Sequence, residues 1–413
     1  MPQAQTPIPL LREKQILLGV SGSIAAYKAA DLASRLTQAG AKVDVILTPS
    51  AEKFVTPLTF ASVTGREAYT EADLWGEEAH ILHVGLASAA DLMLIAPATA
   101  NTLAQMAQGK ADTLLALAAL ACRAPLLVAP AMDGGMYENP ATQENLETLR
   151  RRGVIVVGPV EGRMASGLTG FGRMEEPARL VGHIRLALGR SGPLAGKTAV
   201  VTAGGTQEPL DPVRVLANRS SGKQGFALAQ AARDRGARVI LIAAPAALIT
   251  PVGVERVDIQ TAAEMKEAVL AACREADVLL MAAAVADFRP SKPAEHKLKR
   301  GKGVPEVRLE PTDDILAAVA DQRKKTGRPG VVVGFAAESR DLIANARAKL
   351  EGRGLSLIVA NDITAPGAGF GSDTNRVSLL DGSGSVEELP LMSKADVAEA
   401  VLERAMRKLP GES

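Results

Sequence analysis

Short runs of Val, Ile, Leu and Ala recur along the whole chain, separated by longer stretches with helical spacing, and few architectures accept that alternation. QILLGV (15–20) leads into SGSIAAYKAADLASRLTQAG and then KVDVILT; DLMLIAP, APLLVAP and VIVVGP follow, each ahead of a helical stretch. A strand that is apolar at every position is buried on both faces, which marks a parallel sheet covered by helices on each side. At residue 197 the order restarts with KTAVVTAGG, a new strand and glycine turn. GFALAQAARDRGARVILIAAP echoes AADLASRLTQAGAKVDVILTP, and EADVLLMAAAVAD echoes AADLMLIAPATAN. Two echoes in the same order predict two doubly wound α/β units, Rossmann-like or flavodoxin-like, rather than one long sheet. ALGRSGPLAGK between them is small, polar and carries Gly and Pro, as a linker does. The expected domains are 1–191 and 192–413.

Charge and composition narrow the partners. The 413 residues carry a formal net charge of +1, so no global field favours nucleic acid or an anionic membrane, and with 3% aromatic residues few rings are left for stacking bases. Cys122 and Cys273 are too few and too far apart for a disulfide framework or a cysteine metal site. The first residues, MPQAQTPIPLLREK, lack a signal-peptide pattern, and the longest apolar run, 114–122, is far short of the roughly 20 residues that span a bilayer. A cytoplasmic, globular protein acting on small molecules is expected.

In open sheets of this kind ligands bind beyond the carboxyl ends of the strands, so chemistry is sought in the loops there. GVSGSIAAYK follows the first strand, and its Ser21, Gly22 and Ser23 with the amides of a helix start suit a phosphate. A tight turn built from small residues would look the same, and the spacing is not that of a dinucleotide fingerprint. TPSAEKF places Thr48 and Ser50 after the second strand, in the same layer. His83 is one of four histidines, and alone it reads as a hydrogen-bonded histidine at a helix end.

The ordered set H-x-x-L, AD, an apolar strand, APATANTLA and PAMDGGMYENP, from residue 83 to residue 140, resembles the homo-oligomeric flavin-containing cysteine decarboxylases. The whole chain looks like the bifunctional phosphopantothenoylcysteine decarboxylase / phosphopantothenate–cysteine ligases of coenzyme A biosynthesis. That resemblance implies FMN, which oxidises the substrate thiol carbon so that the carboxylate departs into a conjugated C=S, then returns the electrons. His83 matches the family's base near the thiol, a role imidazole chemistry suits. Pro97, Ala98, Thr99 and Asn101 match the loop on the flavin and the substrate carboxylate; Met132, Asp133 and Met136 fall in the substrate clamp. Asp133 stands where the family has Asn, and its charge would repel a substrate carboxylate unless protonated or turned away. ASGLTGFGRM matches the family's flap with Ser166 in place of the cysteine tied to the final protonation, and serine is the weaker acid.

TAGGTQEPLDPVRVLANRSSGKQG follows the first strand of the second half. It is not a P-loop, since Gln224 follows Lys223, and five residues alone would read as an ordinary helix start. The longer string resembles the CTP-dependent ligase pattern, with Ala217 replacing a serine. The resemblance implies an acyl-cytidylate formed with loss of pyrophosphate and then attacked by cysteine, with Asn218 needed to convert it. AEHKLKRGKG alone is a solvated basic face; matched to the family it makes Lys297 the lysine on the nucleotide phosphates. Met281, Ala282, Ala283, Asp287, Asp313, Asp314, Ile315, Leu316, Phe335, Lys349 and Arg353 fall where the family binds CTP, with Arg353 replacing a lysine of some relatives. Mg2+ is expected with the triphosphate, its ligands unassigned. The substrates implied are 4'-phosphopantothenate, cysteine and CTP, and the assembly a trimer-based homo-oligomer, a dodecamer among its multiples. VANDI, with Asn361, ends a strand and receives no role. Two alternatives stand beside this: another flavoprotein of the same fold acting on peptidyl cysteine or prenyl groups, and a non-catalytic regulatory subunit.

Overall fold

A computed structural model describes residues 7–75, 79–163, 167–299, 306–338, 341–362 and 371–409. The chain divides into two compact units, 1–189 and 190–413.

The first unit runs β1 (Gln15–Val20), α1 (Ala26–Gln38), β2 (Lys42–Leu47), α2 (Pro57–Thr64), β3 (Ala68–Tyr69), α3 (Ala79–Ala89), β4 (Leu92–Ala98), α4 (Ala100–Gln108), α5 (Leu114–Ala121), β5 (Leu126–Pro130), α6 (Gly134–Glu138), α7 (Pro140–Arg151), β6 (Ile155–Val156), a hairpin of β7 (Val160–Arg163) and β8 (Thr169–Arg173), and α8 (Pro177–Gly189). Its sheet has the order β3-β2-β1-β4-β5-β6, every neighbouring pair parallel. The continuous apolarity of the strands has the cause inferred from it. Ile16, Leu18 and Val20 of β1 enter one core and Leu17 the other; Leu92, Leu94 and Ala96 of β4 are split from Met93 and Ile95 in the same way. Period-two alternation survives, with both faces dry. Helix α1 buries Ala26, Ala29, Leu32, Ala33 and Leu36, a stripe at helical spacing. VIVVGP differs from expectation: the β7–β8 hairpin, not a helix, comes next, and α8 begins only at Pro177. Gly158, at φ +77°, and Pro159 end the extended run there, and the chain turns into the hairpin.

The second unit repeats the plan. Its order is β9 (Thr198–Ala203), a hairpin of β10 (Gln207–Pro209) and β11 (Val215–Ala217), α9 (Lys223–Asp234), β12 (Arg238–Ala243), β13 (Val254–Asp258), α10 (Ala262–Ala272), β14 (Val278–Met281), a hairpin of β15 (Phe288–Pro290) and β16 (Leu309–Pro311), α11 (Ile315–Thr326), β17 (Val331–Glu338), α12 (Leu342–Gly352), β18 (Leu357–Asp362), β19 (Thr374–Asn375), β20 (Val377–Asp381), β21 (Val386–Glu388), β22 (Met392–Ser393) and α13 (Lys394–Met406). The sheet order is β13-β12-β9-β14-β17-β18-β20-β21. Its first six strands are parallel, in the arrangement of the first unit, and β20 and β21 are added antiparallel. The two echoed sequence pairs occupy equivalent places: α1–β2 against α9–β12, and β4 against β14. Gly225 lets α9 lie on β9, since a Cβ there would stand 2.5 Å from that of Ala203 and 2.7 Å from the Thr202 carbonyl oxygen. At the start of the unit Gly192 already packs on the Arg235 backbone, and Leu194 N–H donates to the Arg235 carbonyl at 2.7 Å. Among the described residues no helix is long and apolar enough to cross a membrane.

Candidate functional site

In each unit the strand order reverses direction between two neighbouring parallel strands, β1 and β4 in the first, β9 and β14 in the second. Helices leave to opposite faces at such a point, and a crevice opens above the strand ends.

In the first unit that crevice is stitched by Ser21. Its buried hydroxyl donates to the Pro97 carbonyl at 2.7 Å and accepts the Thr99 amide at 3.0 Å, while its own amide donates to Pro97 O at 3.2 Å. The loop after β1 is thereby joined to the end of β4. Thr99 caps α4, accepting the Thr102 amide, and meets the Thr102 hydroxyl at 3.1 Å. Ser23 accepts the Ala25 amide, and Thr48 accepts that of Ala51, so both hydroxyls stabilise turns of the crevice rim. Gly22 lies so close to the loop after β2 that a Cβ would stand 2.3 Å from Ser50 Cβ. Pro97 and Ala98 belong to β4 or its bulged end, and Asn101 is exposed at the start of α4, with its amide 3.4 Å from Gln105 Oε1.

The loop after β5 joins the same rim. Ala131 N–H donates to Ala98 O, and Met132 N–H donates to Gly172 O of β8, each at 3.0 Å. Met132 is half-buried, and Met136 is exposed on α6. Asp133 caps α6, accepting the Gly135 amide at 3.1 Å. A carboxylate in that place lies beside the amides of a helix start, which favour its charge. His83 lies inside α3, not at a helix end. A crossover helix runs antiparallel to the strands it joins, so the early turns of α3 lie toward the carboxyl edge of the sheet. The His83 Nδ1 is buried and, among the described residues, meets no hydrogen-bond partner. A buried ring nitrogen left without a partner fits a site completed by something bound. Ser166 lies outside the described residues.

The second unit holds a cavity of about 770 Å³. Its floor is the end of β14, tied to the Gly204 turn. Ala284 N–H donates to Gly204 O at 2.8 Å, Ala283 N–H to the buried Thr202 hydroxyl at 3.0 Å, and Ala286 N–H to Thr206 at 2.9 Å. Met281, Ala282, Ala283, Asp287, Asp313, Asp314, Ile315, Leu316, Phe335, Lys349 and Arg353 all line this one cavity, together with Asn218. They come from four separated stretches of chain and were grouped in sequence only by resemblance. Asp314 caps α11 and pairs with Arg353 at 2.5 Å. Lys266, 2.8 Å from Asp313, holds that carboxyl below its usual range. Asn218 donates its side-chain amide to Val285 O at 3.0 Å. Lys297 is exposed and is not among the cavity's lining residues. The lining residues that went unassigned in the sequence include Asn361, whose Oδ1 is buried and meets no partner among the described residues, Asn375, and Lys394, which burial holds below the usual lysine range. The signal for Asn361 was its place at a strand end; Asn375 and Lys394 carry none, because antiparallel strands and the last helix bring them back to the cavity. Among the described residues no three His, Cys, Asp or Glu side chains cluster as metal ligands.

Comparison with known proteins divides the chain at the same place. A flavoprotein family model matches residues 8–188, and the model described as "DNA/pantothenate metabolism flavoprotein C-terminal domain" matches residues 194–409. The chain is 45% identical over 408 residues to the coenzyme A biosynthesis bifunctional protein CoaBC of Bacillus subtilis, covering 98% of this chain and 100% of that protein. It is 43% identical over 410 residues to the protein of the same name from Mycobacterium tuberculosis, covering 96% and 97%. The crystal structure of a C-terminal domain of a CoaBC protein matches 51% of this chain and 95% of its own, at 37% identity and a TM-score of 0.43.

Proposed function

The chain belongs to the family of coenzyme A biosynthesis bifunctional proteins, and from that premise we propose the reaction of each unit and the residues that serve it. The protein is an enzyme with two activities, a decarboxylase in its flavoprotein unit and a ligase in its second unit. The observation that most supports the finer reading is the single cavity on which residues assigned to CTP by resemblance converge.

The ligase joins cysteine to 4'-phosphopantothenate. The carboxylate attacks the α-phosphorus of CTP, the bond to pyrophosphate breaks, and the acyl-cytidylate then yields its acyl group to the cysteine amine with release of CMP. The acid-lined end of the cavity, with Asp287, Asp313, Asp314 and Arg353, takes the nucleoside. Asn218 polarises the acyl carbonyl, and Lys297 meets phosphate charge as pyrophosphate leaves. Mg2+ is carried by the triphosphate, in keeping with an ion that favours phosphate and water over an all-protein cage. We expect Lys297→Gln to slow pyrophosphate release by about a hundredfold while CO2 release from supplied phosphopantothenoylcysteine is spared. Equal loss of both activities would mean a folding defect and sink the assignment.

The first unit decarboxylates the product to 4'-phosphopantetheine. FMN, when bound, supplies a reversible two-electron acceptor for the substrate thiol carbon. The loops bearing Ser21, Gly22, Ser23, Thr48 and Ser50, with Pro97 to Asn101, would hold the flavin beside the substrate carboxylate, and Met132 and Met136 would hold the acyl chain. His83 takes the proton of the substrate thiol. Gly22→Ala is expected to give a folded, ligase-competent protein that purifies with little flavin, because the added Cβ forces the loops after β1 and β2 apart. Flavin absorbance at wild-type stoichiometry would contradict that placement. Exposed Ile24, Tyr27, Phe54 and Leu58, at or beside the phosphate loops, support a unit that works as a homo-oligomer.

The deciding assay supplies 4'-phosphopantothenate, cysteine, CTP and Mg2+ to the purified protein. Phosphopantetheine, CO2, CMP and pyrophosphate are the expected products; no pyrophosphate release would overturn the ligase reading. A flavoprotein acting on other cysteines and a regulatory subunit share no reason to keep the second cavity.

A further inference from the structure

One carboxylate of the second unit is fully buried yet lies outside the cavity lining. Asp211, in the turn between β10 and β11, exposes none of its side chain. Its two oxygens have separate tasks. Oδ1 accepts the Val213 amide at 2.8 Å and the Arg214 amide at 2.9 Å, which fixes the turn. Oδ2 accepts Arg214 Nε at 2.9 Å, Arg214 Nη2, and the Leu298 amide at 3.1 Å. Arg214 Nη2 also donates to the Leu298 carbonyl at 2.8 Å. The N–H and the C=O of one residue are thus both held by a single ion pair, and that residue follows Lys297. Nearer the stem of the loop, Ala294 N–H donates to Leu210 O at 3.0 Å. The stem itself reaches the cavity: Asp287 precedes β15 and Thr312 follows β16, both line it, and Thr312 N–H donates to Asp287 O at 2.9 Å.

Arg214 keeps 44% of its side chain exposed, and an ion pair screened on one side by solvent adds little stability, so its presence here calls for a reason of placement. We propose that Asp211 is a positioning residue of the ligase: through Arg214 and the Leu298 backbone it fixes the point from which Lys297 departs. This rests on the reading of Lys297 given above. The Arg214 guanidinium holds the Asp211 carboxyl well below the usual carboxylate range, so the grip stays charged at any pH where the enzyme works.

The full-length Asp211→Asn variant separates the two tasks. Its amide oxygen can keep the Oδ1 contacts of the turn, but an NH2 then faces Arg214 and the Leu298 amide, where donors meet donors. Turnover should fall in kcat, with little change in KM for phosphopantothenate, by about a hundredfold, the scale on which a misplacement near 1 Å registers. Limited trypsin digestion should cut faster after Lys297 and Lys299. The double variant with Lys297→Gln should be as slow as Lys297→Gln alone. Multiplying losses in the double variant, or wild-type kcat and tryptic pattern in Asp211→Asn, would overturn the proposal. If Lys297→Gln alone turned over normally, the lysine reading would fall and the purpose assigned to Asp211 with it. A slow Lys297→Gln beside an unaltered tryptic pattern in Asp211→Asn would sink the Asp211 proposal alone. Should Asp211→Asn not fold, Arg214→Lys keeps a cation for the carboxylate without the reach to Leu298 O; the same signature supports the proposal and wild-type behaviour refutes it.

Discussion

The His83→Asn protein is expected to bind flavin, keep its ligase activity and lose CO2 release by about a hundredfold or more, the range in which a general base contributes. The expectation follows from where the ring sits. His83 lies in α3, while the loops proposed to hold the flavin follow β1, β2 and β4 and are tied together through Ser21, Gly22 and Thr99 without it. Asparagine is smaller than histidine but keeps polar atoms near the orphaned Nδ1 site, and the packing of α3 on α5 does not rest on this one side chain, so the fold should survive. What it cannot do is exchange a proton near neutrality. Single-turnover CO2 release from phosphopantothenoylcysteine, normalised to bound flavin, is the measurement. Release at the wild-type rate would remove His83 from the chemistry.

Asn218→Ala should divide the ligase reaction in two. Asn218 borders the cavity through a side chain that, among the described residues, donates to Val285 O, so its amide can turn to a new acceptor at little cost. Pyrophosphate should still be released in the first turnover, because the nucleotide end of the cavity is untouched. Transfer to cysteine should slow by about a hundredfold to a thousandfold, as when one preorganised donor to a developing oxyanion is lost. Acyl-cytidylate would then accumulate and be seen on acid quench. Amide formation at the wild-type rate, or loss of the pyrophosphate burst, would each contradict the role.

Much of this site was legible because its chemistry sits where local pattern puts it. Ser21, Thr99 and Asp287 each follow an apolar run, and the rule that ligands lie beyond strand ends places them before any contact is known. Asp133 was legible only as a puzzle: the sequence shows a carboxylate in the clamp, and only the backbone shows it capping its own helix. Lys394 and Asn375 were not legible at all. They reach the cavity through strands that turn back antiparallel after β18, and no pattern within a window of chain encodes that return.

By itself the sequence determined the parallel strands of two sheets covered on both faces, their repetition, the strand-end loops and the family they resemble, because periodicity and motif spacing are properties of neighbouring residues; the two antiparallel strands added to the second sheet were not among them. The tertiary structure alone decided that residues from 218 to 394 share one cavity, that the His83 Nδ1 meets no partner among the described residues, and that Asp211 grips Leu298 across 87 positions. A hydrogen bond is settled by which groups the fold leaves within about 3 Å of each other, and distance along the chain says nothing about that.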